Sequence, residues 1–248
     1  MPVVAAAVLS LAAIVIYVIQ LERDLEVEDD VSARARFAYD LSAALPSGGD
    51  SPAGVELGAV APAARRGDAD AQSLLGRMYQ LGEGAPKDPA KAAGWTRKAA
   101  EKGDVKAQCN LGLMFMEGLG VPRDAGRAAT WMSKAARSGD PKAQNNLGSM
   151  YYTGQGMRKD FAQAARWYRE AAEQGHMIAQ LNLAVLYREG KGVPRDHKEA
   201  VYWYLMAAEQ GEPRAQSDLA VLYSQGLGVE RSEEEALKWR GRATAQGF

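Results

Sequence analysis

The chain is poor in the side chains that usually carry chemistry. Its single cysteine, Cys109, excludes an intrachain disulfide framework and any centre built from several thiolates. Its two histidines, His176 and His197, stand at unmatched places and supply no imidazole cluster for a metal or a catalytic relay. No His-Glu-x-x-His, Ser-x-x-Lys or Gly-x-Ser-x-Gly pattern occurs. Charge of one sign is missing too. Thirty Lys and Arg against thirty-one Asp and Glu leave a formal net charge of -1, so no global field draws in a polyanion. Aromatic and basic residues do not interleave as they do on single-stranded RNA platforms. The expectation is a protein that is not an enzyme, needs no cofactor or metal, and has no nucleic-acid partner.

One long apolar run is present. Val3 to Ile19 carries no charge, and a helix over residues 2–21 reaches roughly 30 Å, the thickness of a hydrocarbon core. No basic residue precedes the run and no small-x-small site follows it, which favours an uncleaved anchor over a cleaved signal for residues 1–21. The orientation signals disagree. Arg23, Arg34 and Arg36 follow the span and place the C-terminal side in the cytoplasm by the positive-inside rule, whereas the acidic cluster from Glu22 to Asp30 suggests export. Residues 22–53 read as a tether, with a short amphipathic stretch from Leu25 to Leu41 and a breaker from Pro46 to Pro52.

From Asp68 onward the chain repeats. Ala-Gln recurs at Ala71-Gln72, Ala107-Gln108, Ala143-Gln144, Ala179-Gln180 and Ala215-Gln216, and all five tryptophans recur at Trp95, Trp131, Trp167, Trp203 and Trp239. The units 68–103, 104–139, 140–175, 176–211 and 212–247 have no insertion or deletion. Each unit predicts two helices. In the third, Pro141 to about Thr153 places Ala143, Leu147, Met150 and Tyr151 on one face, and about Phe161 to Gln174 does the same for Ala164, Trp167, Tyr168, Ala171 and Ala172. Asp88, Asp124, Asp160, Asp196 and Ser232 stand where the second helix needs an N-cap, and glycines follow both helices. Gly76, Gly112, Gly148, Ala184 and Ala220 fall mid-helix and imply close helix approach, with the tryptophans expected to fill the space between neighbours. Residues 54–67 read as a degenerate capping half-repeat.

Leu147-Gly148-x-x-Tyr151, Gly154-x-Gly156, Asp160, Ala164, Trp167 and Ala171-Ala172-Glu173-x-Gly175 resemble the Sel-one-like repeat, a longer relative of the tetratricopeptide repeat. The resemblance covers residues 68–247. It implies an all-α fold, a right-handed α/α superhelix or solenoid of five helical hairpins, here preceded by the N-terminal transmembrane helix. It also implies an adaptor for protein partners. Bacterial members of that family are often exported or membrane-tethered. On that tendency the expected location is the inner membrane, single-pass, with the repeats in the periplasm, against the Lys and Arg count.

An array of hairpins offers its first helices as an extended concave face. One residue before the recurring leucine stand Leu74, Asn110, Asn146, Asn182 and Asp218, so that Asn110, Asn146 and Asn182 form a ladder in phase. The asparagines are either solvated helix positions or hydrogen-bonding rungs for a bound peptide. Arg77, Leu113, Met116, Tyr152, Val185, Arg188 and Val221 flank the ladder, and together these ten residues are the candidate face for a protein or peptide ligand. The competing expectation from another class is a cell-envelope enzyme or glycan-binding protein that holds polymer in the groove.

Overall fold

The computed structural model describes residues 57–248, so the anchor and tether expected over residues 1–53 lie outside the described residues. Within them eleven α-helices follow one another and no strand occurs. Helix α1 (Leu57–Arg66) precedes five hairpins. Their first helices are α2 (Ala69–Leu81), α4 (Val105–Glu117), α6 (Pro141–Thr153), α8 (Met177–Glu189) and α10 (Pro213–Gln225). Their second helices are α3 (Pro89–Glu101), α5 (Ala125–Arg137), α7 (Phe161–Glu173), α9 (His197–Glu209) and α11 (Glu233–Thr244). The dominant contacts join each helix to its chain neighbours, the signature of a solenoid. None of these helices is long and apolar enough to cross a membrane.

Local chemistry sets the helix limits. Asp68, Asp104 and Asp140 accept from the backbone N–H three residues on at 2.8, 2.6 and 2.7 Å. His176 replaces the carboxylate in the fourth unit, its Nδ1 accepting from the Ala179 N–H at 3.2 Å, and Glu212 does so in the fifth. Asp88, Asp124, Asp160, Asp196 and Ser232 cap the second helices as the sequence predicts. Each such cap contributes about 1 kcal/mol.

The core departs from the expected one by a single residue. The tryptophans meet the expectation in part: Trp203 and Trp239 are buried in the core, whereas Trp95, Trp131 and Trp167 are half-buried and pack against it. The side chain one place later is buried in the first four repeats, as Thr96, Met132, Tyr168 and Tyr204, and Tyr168 and Tyr204 are the largest fully buried residues. A Cβ on Gly148 would stand 2.7 Å from the Tyr168 ring, so the mid-helix glycine makes room for the tyrosine. The Tyr168 hydroxyl pairs with Ser149 at 3.1 Å and so stays satisfied in the core.

Two devices join one repeat to the next. Gly156, at φ +76°, lies against the start of α5, and a Cβ there would be 2.1 Å from the Ala125 carbonyl oxygen. Gly120, Gly192 and Gly228 meet Pro89, Phe161 and His197 in the same way. The loops of the second to fifth hairpins thus seat their backbone on the preceding second helix, which only glycine permits. The second device is the recurring glutamine. Gln72, Gln108, Gln144, Gln180 and Gln216 are buried, and each Nε2 donates to the carbonyl eight residues earlier, at 3.0, 3.1, 3.2, 3.1 and 3.0 Å. Those carbonyls, from Ala64 to Ala208, lie in the last turn of the helix before each first helix, where each also accepts from the N–H of the glycine three residues on, and the glutamine supplies a second donor.

Candidate partner-binding face

The polar side chains of the first helices interact across the repeats, and they do so differently at each boundary. Between the third and fourth repeats, Asn182 Nδ2 donates to Asn145 Oδ1 at 3.0 Å, and Asn145 Nδ2 reaches Asn146 Oδ1 at 3.4 Å. All three asparagines are fully buried. Asn182 Oδ1 has no hydrogen-bond partner. Between the fourth and fifth repeats the arrangement is ionic: Arg188 Nη1 donates to Asp218 Oδ1 at 2.7 Å. Burial opposes the Arg188 charge, but the Tyr204 hydroxyl and the Asp218 and Glu189 carboxylates outweigh it and raise its pKa. Burial in turn pushes the Tyr204 phenol well above its usual range, reinforced by the negative charge of Asp218.

A second cluster lies nearby. Lys191 Nζ donates to the Tyr152 hydroxyl at 3.3 Å and pairs with Glu189 at 2.9 Å. The Tyr152 and Phe161 rings sit 5.0 Å apart, with the Lys159 ammonium 4.8 Å from the Phe161 centroid.

The ten candidate residues do not form one open surface. Asn146, Asn182, Leu113, Met116, Tyr152 and Val185 are buried; Asn110, Arg77 and Arg188 are half-buried; Val221 is exposed at 45%. The ladder is therefore not a row of free amides, because Asn182 already spends its donor on a neighbouring repeat. Sequence reasoning missed Asn145, which sits beside the ladder, and Lys191, which comes from the hairpin loop. It also treated Arg188 and Asp218 separately, although a residue late in one first helix and a residue early in the next, 30 apart, meet across the boundary.

Cys109 is buried and its Sγ lies 3.9 Å from Met132 Sδ. Among the described residues no three His, Cys, Asp or Glu side chains group so as to hold a metal ion.

The Sel1 repeat model matches residues 69–104, 105–140, 141–176, 178–212 and 213–248. The solved structure of c5321, a protective antigen of uropathogenic Escherichia coli with an SLR fold, is 42% identical with a TM-score of 0.76. That similarity covers 78% of this chain and 41% of the antigen, so the chain spans about two fifths of the antigen's length. A Sel1 repeat protein from Oxalobacter formigenes is 37% identical with a TM-score of 0.68, over 72% of this chain and 71% of that one. No curated protein matches. Caps, loop glycines, the recurring glutamine and the five matched units agree, and the chain belongs to the Sel1 repeat family.

Proposed function

We propose that the chain is a membrane-tethered scaffold that recruits a protein or peptide through the first-helix face of its solenoid, with residues 2–21 as the anchor and the repeats in the periplasm. Sel1 repeats generally serve as protein-interaction scaffolds, which supports the class of function. The observation that carries the site is the accessibility of Arg77, Asn110 and Val221 on the first helices. Asn182, fully buried and held by Asn145, joins two first helices behind that face. Arg77 and Val221 mark the two ends of the footprint, with the half-buried Asn110 and Arg188 between them.

Photocrosslinking from position 110 in native membranes tests this reading. A discrete partner band that Val221→Lys diminishes is the expected result. No band from position 110, with the same chemistry labelling the second helices, contradicts it. Topology has its own readout: a reporter fused after Phe248 should be active only on the exported side, and activity confined to the cytoplasm refutes the placement.

A further inference from the structure

The outer faces of the second helices carry a charge pattern that the repeat does not require. In α5, Arg127, Lys134 and Arg137 follow one another at i, i+7 and i+10 and form one outward stripe, all exposed. The equivalent stripe of α3 presents Lys91 and Lys98, with Glu101 as its single acid. In α7 the same positions hold Glu170 and Glu173 beside Arg166, and in α9 they hold Glu199 and Glu209. Along these positions the outer face is cationic over the first two repeats and bears carboxylates over the next two, where the exposed Arg166 and Lys198 also stand.

The charges are held ready for an outside partner. The Lys98 and Lys134 ammonium groups rest 4.0 and 4.2 Å from the centroids of the half-buried Trp95 and Trp131. Lys91 and Arg127 lean on the capping carboxylates Asp88 and Asp124, whereas Lys98, Lys134 and Arg137 form no ion pair among the described residues. Nor do Glu170, Glu173, Glu199 and Glu209. Arg169, the other cation beside the acidic stripe, is committed to the Tyr187 hydroxyl. Tyr202 adds an aromatic ring, 52% exposed, at the centre of the acidic half.

We infer that this face docks a second copy of the chain, antiparallel, about a two-fold axis between α5 and α7. A two-fold axis makes an interface isologous, so each patch must find its complement on the same surface of the other copy. Here the register closes: the cations of the second repeat meet Glu170 and Glu173, and Lys91 and Lys98 of the first repeat meet Glu199 and Glu209. Tyr202 of each copy then lies against the half-exposed indole of Trp95, the pairing of aromatic anchor and charged rim common at interfaces. Individual exposed ion pairs contribute little, but several complementary pairs together fix partner and register, with Glu101 near Glu209 the one like-charge approach along the stripe.

Sedimentation equilibrium of the full chain in a mild non-ionic detergent tests the inference. At about 50 mM salt the chain should be dimeric, and at about 500 mM, where screening shortens to a few ångströms, it should dissociate. Lys98→Glu with Lys134→Glu should weaken the dimer by at least about tenfold, and so should Glu170→Lys with Glu209→Lys. Mixing the two reversed proteins makes both patches complementary again and should restore a one-to-one heterodimer. A helical melt near that of the parent chain shows that these exposed changes leave the fold intact. A parent chain that is monomeric at low salt, a dimer indifferent to either reversal, or a mixture that stays monomeric each overturns the inference.

Discussion

The boundaries of the third, fourth and fifth repeats are more completely bonded than those of the first two. In the later repeats the buried glutamine is a three-way joint. Gln144 donates to the Ala136 carbonyl behind it and accepts from Gln174 Nε2 at 2.7 Å, and the pairs Gln210–Gln180 and Gln246–Gln216 repeat this at 2.6 and 3.0 Å. In the first two repeats the second donor is missing. The place of Gln174 is taken by Lys102, which donates to the Gly67 carbonyl instead, and by Ser138, whose hydroxyl turns back to Lys134. Gln72 Oε1 and Gln108 Oε1 are accordingly buried without partners. One substituted residue thus leaves a joint half made, at a cost of about 1–3 kcal/mol per buried acceptor.

The largest expected effect comes from breaking a joint outright. Gly156→Ala forces a Cβ to within 2.1 Å of the Ala125 carbonyl at a positive φ, and the loop must leave its seat. A loss above about 3 kcal/mol is expected, with uncoupled unfolding of the two sides. Gly139 also has a positive φ, +90°, but nothing stands within 4 Å of its missing Cβ. Its alanine variant should lose only about 1–2 kcal/mol, and denaturant melts of the two variants separate clash from backbone strain.

Core truncation ranks next. Tyr168→Ala should cost about 3–5 kcal/mol. Trp131→Ala, at a half-buried position, should cost about 1–2 kcal/mol. Equal losses in the melts would restore the tryptophans to the role that the sequence suggests for them.

Smaller still are the glutamine changes, and they carry opposite signs. Gln144→Ala removes one of two hydrogen bonds from the Ala136 carbonyl, which keeps the Gly139 N–H, and one of two from the Gln174 amide, which keeps the Glu170 carbonyl, and should cost about 1 kcal/mol. Ser138→Gln supplies the donor that Gln108 lacks and should raise stability by about 1 kcal/mol. A neutral or destabilising outcome would mean that the later glutamine pairs contribute nothing.

The smallest effect is ionic. A double-mutant cycle on Arg188→Ala and Asp218→Ala should give a coupling of about 0.5–1.5 kcal/mol, because both side chains keep some access to water.

Much of this architecture is legible in the sequence because it is local. An N-cap such as Asp160 and its N–H partners lie within three residues, so one pattern read five times specifies ten helices and their limits. The tryptophans mislead in part, because all five recur alike yet only Trp203 and Trp239 are buried. One place along a helix turns a side chain by about 100°, so Trp167 and Tyr168 point to different surroundings, and recurrence alone does not say which is inside. The recurring Ala-Gln gives the phase of the array but conceals its own purpose, since the glutamine's partner belongs to the preceding repeat. The first-helix asparagines are the hardest to read. Their spacing shows that they share a face, whereas the partner of Asn182 is Asn145, one residue off that register.

Positions that recur hold the array together, and first-helix positions that vary carry recognition; that division is the central claim. Its most direct test measures partner capture and thermal stability together, on Gly156→Ala and on Asn110→Lys. The account predicts a large fall in melting temperature for Gly156→Ala. It predicts a near-parental melt with at least about tenfold weaker capture for Asn110→Lys, since a half-buried polar contact at an interface costs about 1.4 kcal/mol or more when blocked. Undiminished capture by a folded Asn110→Lys protein, or a Gly156→Ala protein that melts like its parent, contradicts it.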